Sequence, residues 1–292
     1  MTQLSIDEKT YTEISPLSAI TDGGPIEFFI PGDGDRYLDL NDTLLHLRVK
    51  ITNANGSNLA NDAAVGLINY PLNTIFSQCD VTLGDRLISQ SSATHPYRCM
   101  IETLLNFSPD TLSSQFTGGL FYKDTAVRLG HAAALMKGNA LYPLSRVNVK
   151  TYSIPANSRV CNQENLFLGS IPKYVVLGMD GRQVPAKAFQ PDFNNGVSVR
   201  EFYNMFLATG RHLKDLPLSI SRDDFNDGYS LFVFNLNPSD DNDALSTVSN
   251  GNLRLELRFR TPLQHTATLI VYACYDSILE INAKRQVLVD YY

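Results

Sequence analysis

The chain has 292 residues, of which 43% are hydrophobic and 18% are charged, and its formal net charge is −6. This length is enough for one large or two ordinary domains, and the hydrophobic content allows a sizeable core. The negative charge and the lack of a Lys/Arg cluster in the sequence argue against strong nucleic-acid binding, which needs basic side chains to neutralise phosphates.

The N-terminal segment predicts neither a basic arm nor a secretory leader. Within residues 1–16, three acidic residues outnumber the single Lys9, and the first residues are polar rather than apolar. The longest apolar stretch, residues 267–275, is too short to cross a bilayer. We therefore expect a soluble protein made inside a cell, with no membrane span.

The cysteines follow no disulfide or metal-binding spacing, because no C-x-x-C pair occurs and each has apolar or strand-like neighbours. We predict that all four are reduced and that each is a small core residue. They are Cys79, Cys99, Cys161 and Cys274.

In chain order, the first predicted strand covers residues 44–52, where aliphatic side chains alternate with polar ones. A hairpin follows at residues 81–88, with a two-residue Gly84-Asp85 turn. A second hairpin at residues 177–184 has an Asp180-Gly181 turn, which tolerates two positive φ angles. Both hairpins predict antiparallel strand pairs.

A short amphipathic helix follows each hairpin. Apolar residues recur at i, i+3, i+4, i+7 and i+8 from Tyr97 in the first helix and from Val199 in the second. Arg98 and Arg200 stand at the same step of this pattern. One such helix would indicate only packing against a sheet, but two copies of hairpin plus helix favour an internal duplication.

Further strands are predicted at residues 146–154, 230–236, 253–260, 269–275 and 287–292. The second and fourth are apolar on both faces, which is typical of central strands between two layers. Repeated strands separated by Gly, Asn, Asp and Pro turns favour an all-β sandwich. The stretch after the first helix is short, loop-like and Gly-rich, so we expect an incomplete N-terminal domain at residues 1–140 and a full one at residues 141–292.

Short motifs over most of the chain resemble one known family. In the first half they are residues 37–43, 69–72, 75–84, 95–98 and 102–106; in the second they are 142–146, 180–185, 226–229, 275–276, 279–281 and 285–287. They resemble the hexon-like, double jelly-roll major capsid proteins of Polinton/Maverick and adintovirus-like elements. Relative to that family, a segment is missing between about Leu129 and Asn139 and a smaller one between Leu177 and Asp180.

The resemblance implies a double jelly roll, the first one shortened, with short helices after hairpins. It implies a structural capsid protein that assembles into an icosahedral shell through homotrimers, together with other capsid proteins such as a penton. Such a protein is made in the host cytoplasm or nucleus, resides in the virion and is not an enzyme.

Four residues are the candidates for subunit interfaces. Arg98 and Arg200 lie at the base of loops and are expected to orient contacts between domains or subunits. Tyr291 and Tyr292 end a C-terminal strand that either adds to a neighbouring subunit or caps its own sheet. Aromatic residues near turns either anchor subunit contacts or close the ends of the sandwich.

No catalytic, cofactor-binding or metal-ligating residue is predicted. The five histidines lack metal-ligand spacing, the acidic run at residues 240–243 lacks the Gly and Glu of a calcium loop, and no G-x-S-x-G elbow occurs. The main alternative is a monomeric β-sandwich that binds a carbohydrate or another ligand. A cupin-like metal enzyme is disfavoured by the histidine spacing.

Overall fold

The structure is a computed structural model. It describes residues 8–21, 23–32, 36, 38–40, 43–46, 50–60, 70–89, 92–121, 123, 153–155, 172–212, 214–227, 229–236, 251–263, 266, 269–275, 277–282 and 284–291. The chain divides into two compact units, Met1–Leu59 with Asn148–Ala156 (unit 1) and Ala60–Val147 with Asn157–Tyr292 (unit 2).

The described residues of unit 1 include one pair of short strands. Strand β1, Lys50–Thr52, pairs in parallel with a later strand, Ser153–Pro155. The predicted strand at residues 44–52 is thus confirmed only at its end, because residues 44–46 have no regular structure and residues 47–49 lie outside the described part. A tight turn follows β1, in which the Asn53 amide donates to Ser57 Oγ and the Asn58 carbonyl.

Both predicted hairpins are present in unit 2. Strands β2 (Thr82–Leu83) and β3 (Arg86–Leu87) flank the Gly84-Asp85 turn. The Ser153–Pro155 strand of unit 1 is β4 in chain order. In unit 2, strands β5 (Pro172–Met179) and β6 (Arg182–Phe189) flank the second turn. There Asp180 and Gly181 have φ of 47° and 81°, the two positive angles that the Asp-Gly pair predicted.

Strand β5 is the centre of a three-stranded antiparallel sheet in the order β6-β5-β7, where β7 is Leu253–Phe259. The predicted strand at residues 253–260 is therefore confirmed. Val175 and Val176 of β5 are buried, as a central position requires. Pro185 lies in β6, an edge strand of this sheet, where a missing backbone N–H is tolerated. A last antiparallel pair joins β8 (Ser277–Ile281) and β9 (Val287–Tyr291).

Five α-helices lie in the described part of unit 2: α1 Pro71–Thr74, α2 His95–Asn106, α3 Pro109–Ser113, α4 Val199–Ala208 and α5 Arg222–Asp227. Two short 3-10 helices, Gln115–Gly119 and Phe193–Asn195, accompany them. The two predicted amphipathic helices are α2 and α4. Helix α5 begins with a reciprocal cap, in which Ser221 N donates to Asp224 Oδ2 at 2.9 Å and Asp224 N donates to Ser221 Oγ at 3.1 Å.

One hydrophobic core joins helices α2 and α4. Met100 and Leu104 of α2 pack in the same cluster as Met205 of α4, and Leu104 and Met205 are fully buried. The spacing predicted the inward face of α2 correctly. In α4 it was wrong for Val199, Tyr203 and Leu207, which are exposed, and it did not include the buried Met205. The remaining buried members come from α3, α5 and the connecting segments: Leu112, Phe121, Leu218, Ile220, Phe225 and Tyr229.

Two predicted central strands are wrong. Residues 230–236 and 269–275 form no strand, although both are described and apolar. Instead, residues 230–236 pack through side chains, since Phe232 and Phe234 contact the Phe189 ring at 6.1 and 5.6 Å between centroids. An apolar run favours burial, but a ladder also needs a neighbouring backbone, which the run itself does not specify.

The expectation that cysteines fill the core is also wrong where it can be checked. Cys79 and Cys274 are exposed and Cys99 is half-buried, while Cys161 lies outside the described residues. Apolar sequence neighbours therefore do not by themselves determine whether a cysteine side chain is buried.

The fold class is mainly β in its coarse features, with short strands, short helices and small sheets that are antiparallel except for β1 with β4. The division at residue 140 stays a prediction, because residues 124–152 lie outside the described part. No helix among the described residues is both long and apolar enough to cross a membrane.

Candidate assembly surface

The β8–β9 hairpin presents apolar side chains on both of its faces. Its register pairs Leu279 with Val289 and Ile281 with Val287 on one face, and Glu280 with Leu288 on the other. Ile278, Leu279, Ile281 and Leu288 are 43–60% exposed. A hairpin of two strands is marginally stable alone and is stabilised when a further strand or surface covers it.

A groove of about 450 Å³ separates this hairpin from the β2–β3 hairpin. Its walls combine aliphatic side chains with three charged ones, Asp85, Arg86 and Glu280. The aliphatic part comes from Leu87 on one side and from Ile278, Leu288 and Val289 on the other. The groove therefore offers both apolar area and charges to an approaching chain.

The outer strand of the three-stranded sheet has a basic polar face. Arg254 and Arg258 flank Glu256 on β7, and Arg258 Nη2 lies 2.7 Å from Glu256 Oε1. The Arg258 guanidinium also lies 4.7 Å from the centre of the Tyr174 ring on β5. No ion pair of Arg254 occurs among the described residues, so its charge is available to a partner.

Arg98 and Arg200 occupy matching helical steps but make different contacts. Arg98 Nε donates to Glu102 Oε1 of its own helix at 3.0 Å, and its side chain is largely exposed. Arg200 holds α4 to strand β6, since Nη1 donates to the Ala188 carbonyl at 3.0 Å and Nη2 donates to the Lys187 carbonyl. The Arg200 guanidinium also lies 5.2 Å from the centre of the Phe189 ring. Their predicted roles in contacts between domains or subunits stay predictions.

The two candidate tyrosines lie at the end of the chain. Tyr291 is the last residue of β9 and pairs with Ser277 in the β8 register, and Tyr292 lies outside the described residues. The strand thus pairs within its own chain, one of the two alternatives that the sequence left open. Its other edge has no ladder partner among the described residues.

Several aromatic residues that the sequence placed at turns lie in the core instead of on an interface. Phe121 and Phe189 are almost fully buried, whereas Phe28 and Phe29 of unit 1 are exposed. Tyr70 contacts both Phe116 and Phe121 with ring centroids 5.7 Å apart. Phe121 and Phe189 therefore pack inside the fold, where they cannot anchor a subunit contact.

A polar cluster connects α2 to residues 269–275. The Tyr272 hydroxyl donates to Glu102 Oε1 at 2.7 Å and accepts from the Cys274 thiol at 2.9 Å. On the same helix, Cys99 Sγ lies 3.3 Å from His95 Nε2. A cysteine beside a histidine is the arrangement that nucleophilic catalysis uses, provided that the thiol ionises.

The protonation states do not favour such a nucleophile. Burial, assisted by the nearby Glu102 carboxylate, raises the pKa of Cys99 to about 11. Burial, together with the Arg98 charge, lowers the pKa of His95 below its usual value. Both shifts favour the neutral thiol and the neutral imidazole near pH 7, so this pair lacks the thiolate that would attack a substrate.

The described histidines and acids also do not gather around a common point. Over the described ranges, no three His, Cys, Asp or Glu side chains are close enough to hold a metal ion. His46 and His212 are exposed, and His131 and His265 lie outside the described residues. The acidic run at residues 240–243 lies outside them as well.

Two long-range contacts were not predicted from the sequence. Glu102 binds Tyr272, and Lys123 Nζ binds Asp224 Oδ2 at 2.5 Å and also donates to the Ser219 carbonyl. The Ser221-x-x-Asp224 spacing did carry a signal, because it is the pattern of a capping box. Nothing in the local sequence identifies Tyr272 or Lys123 as partners.

Comparisons with protein-family models, curated proteins and solved structures found no match to this chain. Evidence for what the protein does therefore comes from its residues and from the surfaces just described.

Proposed function

We propose that the protein is a structural subunit of a viral-type capsid, a jelly-roll protein that associates with copies of itself. The short motifs that resemble double jelly-roll major capsid proteins of Polinton and adintovirus-like elements support this assignment. Trimers that tile an icosahedral shell, with partner capsid proteins such as a penton, are the assembly that the resemblance implies.

The observation that carries the proposal is the β8–β9 hairpin. It combines exposed Ile278, Leu279, Ile281 and Leu288 with strand edges that lack ladder partners among the described residues. Exposed apolar strands with open edges promote association, and folded monomers usually protect such edges with charges, bulges or covering segments. If the protein is a subunit of a shell, a neighbouring subunit covers this surface.

In this proposal the residues act by positioning and burial rather than by chemistry. The β5–β6–β7 sheet and the core around Leu104 and Met205 form the rigid body. The β8–β9 hairpin and the groove beside it form the contact surface. Burial of apolar area stabilises such an assembly by about 25 cal/mol per Å², minus the entropy cost of association.

Light scattering after size exclusion, followed by electron microscopy, tests the proposal. We expect the purified protein to form trimers or larger particles whose proportion rises with concentration. A protein that is monomeric at every concentration contradicts it. Ile281→Lys and Leu288→Lys should shift the population toward monomers, whereas Lys214→Glu, an exposed change outside the hairpin, should not.

A second candidate is a monomeric β-sandwich module that binds a carbohydrate or another small ligand, and one feature favours it. The groove of about 450 Å³ has the volume of a small-molecule site and contains charged side chains that could bind hydroxyl groups. Saturable binding of a glycan by a monomer, lost in Arg86→Ala, would support this alternative over the shell subunit.

A further inference from the structure

We propose that the free edge of β8 pairs with the free edge of β7 in a second copy of the chain, with Glu280 opposite Arg254. This inference rests on the proposed function, because it names the surfaces through which subunits associate. Among the described residues, β8 pairs only with β9, and β7 pairs only with β5. Each strand therefore has one edge whose backbone groups can accept a strand from another molecule.

One antiparallel register matches the side chains of the two edges. It places opposite charges across from each other on one face and apolar residues across from each other on the other face. The opposed pairs are Glu280 with Arg254, Leu279 with Leu255, and Ile281 with Leu253. Opposed pairs of this kind stabilise a sheet, and like charges at the same position destabilise it.

The charges of this register are available in the single chain. Neither Glu280 nor Arg254 has an ion-pair partner among the described residues, while the neighbouring Arg258 is already paired with Glu256. Leu253, Leu279 and Ile281 are each more than two-fifths exposed. Pairing would therefore bury apolar side chains and satisfy two charges without breaking a contact that the chain makes.

A second copy of the chain fits these edges because every copy has both a free β7 edge and a free β8 edge. The contact joins β8 of one molecule to β7 of the next, so it is head-to-tail rather than symmetric. A head-to-tail contact can repeat around a ring, and a ring of three is the assembly proposed above. Within one chain, the described β7 and β8 belong to different sheets.

Charge reversal tests the pairing. In Glu280→Arg or Arg254→Glu, each contact between identical copies brings like charges together, and we expect association to weaken about tenfold or more. The double variant carrying both changes restores opposite charges and should return to within about threefold of wild type. Sedimentation velocity over a range of concentrations measures all three.

A mixture of the two single variants separates pairing between molecules from pairing within one chain. Wherever the two variants meet, either contact again joins opposite charges, so the mixture should associate more tightly than each variant alone. If the mixture gains nothing and only the double variant recovers, the two edges pair within one chain and the inference is wrong. Lys214→Glu and Asp215→Arg, exposed reversals away from both strands, are the matched controls.

The outcomes distinguish the two proposals. A wild-type protein that never associates overturns both. A wild-type protein that associates, with single variants that associate equally well, overturns only the edge pairing. Circular dichroism verifies that each variant is folded, and the milder Glu280→Gln and Arg254→Gln, expected to weaken association about threefold, replace a reversal that does not fold.

Discussion

Glu102 and Tyr272 lie 170 positions apart in the chain, and the Tyr272 hydroxyl donates to Glu102 Oε1 at 2.7 Å. Arg98 Nε donates to the same carboxylate oxygen, and the Cys274 thiol donates to the Tyr272 hydroxyl. This chain of hydrogen bonds links helix α2 to a segment that forms no strand ladder. Residues 269–275 are therefore held to the fold by side chains, at a position where the sequence predicted backbone pairing.

Removing the Tyr272 hydroxyl should destabilise the protein measurably. Tyr272→Phe leaves Glu102 and Cys274 without this partner, and we expect the free energy of unfolding to fall by about 1–2 kcal/mol. Urea denaturation measures the change. Tyr275→Phe is the control, because the Tyr275 side chain is in the same segment and 64% exposed. Equal effects of both substitutions would show that the hydrogen bond does not hold the segment.

The alkaline pH dependence of stability should report on Cys99. Its ordinary pKa is about 9 and burial raises the pKa to about 11, so the folded state holds the proton more tightly than the unfolded state. The stabilising contribution is complete below about pH 9 and is lost as the pH rises toward 11. Burial also raises the pKa of Tyr70 and of Tyr272, so both groups add to the loss of stability as the pH rises.

Urea midpoints between pH 8 and pH 11 check this expectation. Cys99→Ala should show a shallower decline than wild type because one of the contributing groups is gone. Cys79→Ala removes an exposed thiol whose charge contributes less than burial to the Cys99 shift, so it should change the slope less than Cys99→Ala does. A Cys99→Ala slope equal to that of wild type would mean that the thiol titrates alike in the folded and unfolded states.

Asp224 should matter far more than its neighbour Asp223. Asp224 caps α5 through Ser221 and binds Lys123, with both charged side chains about three-quarters buried. Burial alone would raise its pKa, but hydrogen bonds from Lys123 and Ser221 outweigh it and lower the pKa. We expect Asp224→Ala to cost about 2–3 kcal/mol of unfolding free energy, and exposed Asp223→Ala less than about 0.5 kcal/mol.

The difference in unfolding free energy between Asp224→Ala and Asp223→Ala should become smaller at acidic pH. Because the folded pKa of Asp224 lies below its ordinary value near 3.8, its contribution is present at neutral pH and lost as the pH falls through the acidic range. Thermal melts at pH 7 and pH 3 should show the gap between Asp224→Ala and Asp223→Ala narrowing. If the difference between the two variants is the same at pH 7 and pH 3, the destabilisation by Asp224→Ala comes from packing alone.

The two matched arginines should differ when each is replaced by alanine. Arg200→Ala removes hydrogen bonds to the Lys187 and Ala188 carbonyls and a contact with Phe189, so we expect a loss of about 1–2 kcal/mol. Arg98→Ala removes one exposed pair within a helix, worth about 0.3–0.5 kcal/mol. Guanidinium denaturation compares the two variants. A larger loss for Arg98→Ala would contradict the structural role of Arg200 as the link between α4 and β6.

Local features of the fold were predictable because their signals are local. The Asp180-Gly181 pair predicted a hairpin because few residue pairs adopt the two positive φ angles that this turn requires. The spacing in α2 predicted the buried face that contains Met100 and Leu104, whereas in α4 it did not identify the buried Met205. Strand β7 was equally clear, since strict alternation indicates a half-buried strand.

Non-local features were not predictable, for reasons that the same residues illustrate. The apolar runs at residues 230–236 and 269–275 indicated burial, but a strand also depends on a neighbour that the run does not encode. In the candidate surface, the sequence identified the C-terminal strand but not Glu280 or Arg254. Their significance comes from which strand edges remain open, and that follows only from the arrangement of the sheets.

The shared core has a consequence for how helices α2 and α4 contribute to stability. Met100 and Leu104 of α2 pack in the cluster that also buries Met205 of α4 and Phe225 of α5. Neither helix can detach without exposing the apolar side chains of its counterpart to water. We therefore expect α2 and α4 to unfold together, as one cooperative unit.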